Sequence, residues 1–288
     1  MNAPRRLTLD DRVDWPGGWL RDSQSVLFYS DRNGDLSIFK QGINDGRAEA
    51  ISVGPEEERA PQLSPDGRWI LYLVWAKAEK GIFPTVGSMM RVPISGGIPQ
   101  WVLNVKGYPG SAQVPRSLFL FTARGYPAFR CPSLPTASCV LSEADEKQII
   151  FSAFDPVEGR KRELVRVDID ASTHTSWDLS PDGARIALVK SDDRIRILSL
   201  SDGTAREVPV KGWWELDSVG WSADGKSLFV TNYYYKGSTL LRVALNGETQ
   251  MLRQGILMLE RPIASPDGQY LAFGEVSSNR NVWMIENF

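Results

Sequence analysis

Apolar residues along this chain gather in short, nearly continuous runs: Val26-Leu27-Phe28-Tyr29, Trp69-Ile70-Leu71-Tyr72, Ile186-Ala187-Leu188-Val189, Leu228-Phe229-Val230 and Tyr270-Leu271-Ala272-Phe273. Apolar runs of this length predict strands. Before four of them stands one turn: Ser64-Pro65-Asp66-Gly67, Ser180-Pro181-Asp182-Gly183, Ser222-Ala223-Asp224-Gly225 and Ser265-Pro266-Asp267-Gly268. A degenerate copy, ending at Asp22-Ser23, precedes Val26. Pro presets φ for the first corner, the Asp carboxylate accepts from nearby backbone N–H groups, and Gly takes the positive φ that closes the turn. Each copy therefore predicts a hairpin.

Further strand candidates follow each hairpin, at 36–40 and 48–52 in the first unit and at 89–94 and 100–103 in the second. Turn positions at Ser23, Gly67, Glu146, Gly183, Gly225 and Gly268 recur at about 42 residues, with one step of about twice that. Four short strands at this period predict an all-β fold, a β-propeller of four-stranded antiparallel blades. The units fall at 13–52, 58–103, 104–170, 175–210, 214–253 and 260–288 plus 5–10, together one propeller domain over 1–288. Six blades are expected, or seven if 104–137 is a degenerate blade rather than an inserted hairpin. In the third unit, strands at 138–141, 148–151 and 163–167 place Glu146 at the turn glycine and leave no room for an outer strand. The last unit ends one strand short, and residues 6–10 are expected to pair outside 282–285 and close the ring.

With 42% apolar and 24% charged residues, the 288-residue chain has the composition of a globular protein. Thirty-three Lys and Arg against 35 Asp and Glu leave a net charge of −2, and the longest basic run is Arg160-Lys161-Arg162. Nothing there draws the chain to nucleic acid or to an anionic membrane. No window approaches the ~18 apolar residues of a membrane span, and the first residues lack the apolar run of a secretory signal.

Cys131 and Cys139, the only cysteines, either form a disulfide or sit as two buried thiols. Bridged, so short a loop would gain about 2.5 kcal/mol in the chain-entropy model, and only in an oxidising compartment. With a single histidine, a structural zinc site has too few ligands, and no metal or cofactor is expected. A catalytic triad would have to use that residue, His174, which sits in a polar connector and reads as an exposed loop histidine. No Gly-x-Ser-x-Gly, Walker-type or His-Glu-x-x-His motif occurs, so no catalytic residue is assigned. Asp31-Arg32-Asn33-Gly34-Asp35 resembles the start of a calcium loop but lacks the closing Glu, and is expected to be a hairpin turn.

Ten tryptophans are left to place. Trp19 and Trp221 occupy the slot before the turn, where packing between blades is expected. Trp177-Asp178 and Trp213-Trp214-Glu215 fall at the starts of inner strands, near a mouth of the channel. Aromatics beside acids there would stack a sugar or clamp a peptide, so Trp177, Asp178, Trp213, Trp214 and Glu215 are the candidate ligand-binding residues. For any one of them, simple core packing is the competing expectation.

The recurring Ser-Pro-Asp-Gly turns on a four-strand period resemble the TolB-type β-propellers, relatives of the WD-repeat propellers. A narrower resemblance lies in Cys131 through Cys139, in Phe154-Asp155-Pro156-Val157-Glu158-Gly159-Arg160 with Glu163-Leu164, and in the ending Asn281-Val282-Trp283-Met284-Ile285-Glu286-Asn287-Phe288. These are similar to the C-terminal propeller region of bacterial serine/threonine kinases and winged-helix regulators. That resemblance implies a sensory or binding role, extracytoplasmic if the chain is a module of a membrane-anchored parent. The expectation is a non-catalytic binding or sensory propeller, a monomer that takes a protein, peptide or small-molecule ligand at a loop face or channel mouth. The alternatives are a propeller-based hydrolase or lyase acting on a saccharide or peptide, and a passive assembly scaffold.

Overall fold

The computed structural model of the protein describes residues 3–10, 12–77, 85–107, 127–145, 147–169, 174–190, 192–234, 237–276 and 280–287. Among them are six four-stranded antiparallel sheets set as blades around a central channel. Blade 1 holds β1's neighbours in sequence, β2 (Asp14–Trp19), β3 (Ser25–Ser30), β4 (Ser37–Gly42) and β5 (Glu49–Ser52), while β1 itself is Arg5–Arg6. Blade 2 is β6 (Glu57–Leu63), β7 (Trp69–Trp75), β8 (Val86–Pro93) and β9 (Gln100–Lys106). Blade 3 is β10 (Ala128–Arg130), β11 (Cys139–Ala144), β12 (Gln148–Asp155) and β13 (Gly159–Asp168). Blade 4 is β14 (Ser176–Leu179), β15 (Arg185–Val189), β16 (Arg194–Ser199) and β17 (Ala205–Pro209). Blade 5 is β18 (Leu216–Trp221), β19 (Ser227–Tyr234), β20 (Gly237–Ala244) and β21 (Thr249–Gly255). Blade 6 combines β22 (Met258–Ala264), β23 (Tyr270–Val276) and β24 (Arg280–Glu286) with β1 as its outer strand. No helix of the described residues is long and apolar enough to cross a membrane.

The second strand of each blade explains the continuous apolar runs. Along β3, Val26 and Phe28 face blade 6 while Leu27 and Tyr29 face blade 2, and all four are buried. On β15, Ile186 and Leu188 pack on blade 3, whereas Ala187 and Val189 pack on blade 5. A strand covered on both faces has no position left for a polar residue. The core is accordingly divided into six clusters, one between each pair of neighbouring blades.

The recurring turn is a compact network. In blade 4 the Ser180 hydroxyl donates to Asp182 Oδ1 at 2.5 Å and accepts from Arg185 N at 2.9 Å; Asp182 Oδ1 also accepts from Ala184 N at 3.0 Å. Gly183, at φ 73°, donates its N–H to Ser180 O. Blades 2, 5 and 6 repeat the arrangement around Asp66, Asp224 and Asp267. In blade 1, Ser23 takes the glycine's place at φ 59°.

The ring closes on an N-terminal strand as the pattern predicts, but through Arg5, opposite Met284, and Arg6, opposite Trp283, rather than through residues 6–10. Leu7 N donates to Val282 O, the Leu7 side chain is buried in the blade 6–blade 1 core, and Gln41 Nε2 donates to Leu7 O.

Blade 3 departs from expectation. Its outer strand is present as β13, and the strands read as first, second and third are the second, third and fourth. The inner strand is β10, taken from the stretch expected to be an insertion or a degenerate blade. The β11–β12 hairpin turns between Ala144 and Gln148, and Glu146, read as the turn position, lies outside the described residues. Residues 131–138 make the connection that the Ser-Pro-Asp-Gly turn makes elsewhere, and a Cys131–Cys139 disulfide closes it. The loop leans on the neighbouring blade through Ser133 N, which donates to Pro181 O. The apolar stretch Ser117-Leu118-Phe119-Leu120-Phe121 lies outside the described residues.

Candidate functional site at the channel mouth

The inner strands β2, β6, β10, β14, β18 and β22 surround the channel and approach one another closely. A Cβ on Gly220 of β18 would lie 2.1 Å from Pro262 O of β22, so only glycine fits. Where these strands run into their turns, the channel widens into a cavity of about 390 Å³ lined from all six blades. Prolines form its collar, among them Pro132, Pro135, Pro181, Pro262 and Pro266. Polar groups lie between them: Gln62, Arg130, Ser176, Asp178, Ser218 and Arg261.

Asp178 joins three blades. Its Oδ1 accepts from Arg130 Nε at 2.9 Å and its Oδ2 from Trp221 N at 2.8 Å. Burial pushes the Asp178 carboxyl above its ordinary value, and Arg130 and the Trp221 N–H pull it back. Burial also lowers Arg130. Arg130 stays a cation, because a guanidinium starts so far above neutral pH. The pair is the electrostatic knot of the mouth, and both carboxylate oxygens of Asp178 are engaged within the protein.

Arg261 has a different setting. The pairing of β22 with β23 slips between Glu260 and Ile263, a bulge at which Arg261 adopts φ 51°. Left-handed geometry costs a non-glycine residue about 1–3 kcal/mol, and a bulge re-aims the side chain it carries. Arg261 N donates to Ser218 Oγ at 3.1 Å, and that hydroxyl also bonds Thr231 Oγ1 at 2.6 Å. The guanidinium lies 5.7 Å from the Tyr29 ring centroid. Burial opposes its charge, but Tyr29, Glu260 and Asp217 outweigh burial and hold it above its ordinary value.

Asp217 lies nearby but off the cavity wall. Burial, then Glu260, push its carboxyl up to about 8 against the pull of Arg261. It is therefore protonated at neutral pH. His174 Nε2 is 2.8 Å from Asp217 O and 3.5 Å from Asp217 Oδ1. The histidine expected on an exposed loop is thus mostly buried, covered by the neighbouring blade.

The structure separates the five candidate residues. Asp178 lines the cavity. Trp177 points the other way, into the blade 3–blade 4 core, with its indole N–H on Ser142 Oγ at 2.9 Å and its ring edge-on to Phe151. Strand alternation sends adjacent residues to opposite faces, so the two could not share a site. Trp213, Trp214 and Glu215 precede β18, at the opposite end of that strand from the cavity. Trp213 packs on the blade 4–blade 5 core, Trp214 is half exposed, and Glu215 sits at φ 54° with its carbonyl accepting from Tyr233 N. Trp19 and Trp221 lie between blades as expected, their indole N–H groups on Ile263 O and Asp178 O. The Asp31–Asp35 segment is a hairpin turn, with Asp31 Oδ1 accepting from Val13 N and Asp35 paired to Lys77.

Gln62, Arg130 and Arg261 were missed by sequence reasoning. A signal existed for Arg261: in Glu260-Arg261-Pro262 an arginine precedes a proline inside an inner strand, where proline breaks the ladder and marks a bulge. Ala60-Pro61 is the matching pair in blade 2, and Ala60 has φ 54°.

No protein-family model matches the chain, and no curated protein matches it in sequence. Solved propellers do match in structure. TolB from Acinetobacter baumannii superposes with a TM-score of 0.60 at 14% identity, over 96% of this chain and 64% of that one. A TolB-like protein from Agrobacterium tumefaciens gives 0.58 at 16%, over 83% and 80%. An oligogalacturonate lyase in complex with manganese gives 0.59 at 12%, over 99% and 93%. The fold is that of the TolB-type six-bladed propeller.

Proposed function

We propose that this TolB-type propeller is a non-catalytic binding module whose ligand, protein-borne or small, enters the cavity at the turn end of the channel. The observation that carries this reading is the wall of that cavity: donors and prolines from six blades, in which the serines bonded to carboxylates, Ser64 to Asp66 and Ser265 to Asp267, are fasteners of the recurring turns. The arrangement suits holding a group still, since Arg130 is locked by Asp178 and Arg261 is aimed by a bulge. The module would act as a monomer without nucleic acid, and the Cys131–Cys139 bridge supports an oxidising compartment.

The likeness to oligogalacturonate lyase raises a second reading, a propeller-based lyase or hydrolase. Asp217, protonated at neutral pH beside His174, is the ingredient that favours it. Among the described residues no group of three His, Cys, Asp or Glu converges on a point, so this second reading is not built on a metal. The test is a thermal-shift screen of peptides, sugars and divalent ions, with product analysis by mass spectrometry. A ligand that raises the midpoint and is recovered intact supports the binding module. Turnover would establish the enzyme instead.

A further inference from the structure

We infer that the cavity is a carboxylate subsite with Arg261 as its anchor, and that its occupant is the C-terminal end of a peptide chain. This inference rests on the binding reading above and specifies its ligand. Among the side chains of the cavity wall, the hydrogen-bonding capacity left open is mostly that of donors. Among the described residues, no acceptor lies within hydrogen-bond distance of the Arg261 guanidinium. Gln62 and Ser176 line the cavity; Gln62 accepts from Cys131 N through Oε1, and among the described residues neither its amide NH₂ nor the Ser176 hydroxyl has a hydrogen-bond partner. The one carboxylate in the wall, Asp178, already receives Arg130 and Trp221 N. Side chains that offer donors fit a group made of acceptors.

Charge narrows the group further. Arg261 and Arg130 disfavour one another's charge, and Asp178 offsets only Arg130 directly. Glu260 beside Arg261 limits the positive surplus, so a monoanionic carboxylate fits better than a phosphate dianion. The proline collar favours apolar side chains next to that carboxylate over a sugar, whose hydroxyls would each need a partner that Pro132, Pro135, Pro262 and Pro266 do not supply as donors. A chain end with two apolar residues meets both demands, and about 390 Å³ accommodates it.

The experiment titrates the full chain calorimetrically with pools of hexapeptides whose last two residues are apolar, prepared with free and with amidated C-termini, and with trigalacturonate as a second source of carboxylate. The free-acid pool is expected to bind at least tenfold more tightly than the amidated pool, and Arg261→Gln is expected to remove that difference while the ligand-free protein melts at the wild-type midpoint. Gln62→Leu, which keeps the volume and removes the donor, should weaken the free-acid pool alone. Equal binding of acid and amide would overturn the carboxylate anchor while leaving a binding module in place. Trigalacturonate binding through Arg261 in the absence of peptide binding would overturn the peptide assignment. If no pool binds, the inference falls, and the binding reading is then decided by the wider thermal-shift screen.

Discussion

Aspartates of two regions behave in opposite ways. In the recurring turns, Asp66, Asp182, Asp224 and Asp267 sit near the surface, each fixed by a serine hydroxyl and a backbone N–H, and all are held below their ordinary value. In and beside the channel, Asp178 and Asp217 are pushed up by burial. A turn carboxylate is better solvated by its own few residues than by water alone, whereas a channel carboxylate depends on partners from other blades. Repetition therefore marks the fasteners of this protein, and departure from repetition marks its candidate site.

The strongest way to break that contrast is Asp178→Ala. It strips the counter-charge from Arg130 and the acceptor from Trp221 N, and with both charged side chains still partly reached by water the loss should be about 2–3 kcal/mol. A fall in the thermal midpoint of roughly 5–10 °C is expected. A midpoint within a degree of wild type would deny Asp178 its bridging role.

Asp217 sharpens the contrast through pH. Its folded value, about 8, stands above the value near 4 of an unfolded chain, so its share of stability is fully present below about pH 4 and is lost as pH rises through 8. Wild type should lose stability between pH 5 and pH 8 relative to Asp217→Asn, with Glu260, Arg261 and His174 common to both proteins. Parallel melting curves across that range would show that Asp217 ionises normally. The turn aspartates run the other way: their lowered values give stability present above about pH 4 and lost as pH falls below it.

A smaller effect belongs to Asp182→Ala, which removes two local hydrogen bonds from one turn among several. About 1 kcal/mol and a fall of roughly 2–4 °C are expected, with ligand binding at the channel unchanged. Arg261→Gly should be the mildest and opposite in sign. Glycine accepts φ 51° without strain, so the midpoint should hold or rise by a degree or two while carboxylate binding is lost. A large destabilisation would make Arg261 a structural residue.

Blade 3 shows why part of the fold escaped the sequence pattern. Where the turn network exists, hairpins follow from contacts within five residues, as between Ser180 and Arg185. Residues 131–138 carry no such network, and β10 has only three residues, too few to show alternation. What secures β10 is distant: a disulfide, and the bond from Cys131 N to Gln62 of blade 2.

By itself, the sequence determined the blades other than blade 3, the blade number within one, and the ring closure, because turn chemistry and strand alternation act over a few residues and repeat. It also marked Asp178 as unusual, through a flank that the other turn copies lack. Tertiary structure alone decided what that flank does. Trp177 and Asp178 are chain neighbours sent to opposite faces, and the partners of Asp178 lie 48 residues before it and 43 after it. Trp213, Trp214 and Glu215 share a composition with a binding site but lie at the far end of their strand. Arg261 draws its significance from three-dimensional company, a bulge that aims it, a serine from the neighbouring blade that holds its backbone, and a cavity wall with donors to offer. Those relations join residues from different blades, and such contacts exist only once the ring has closed.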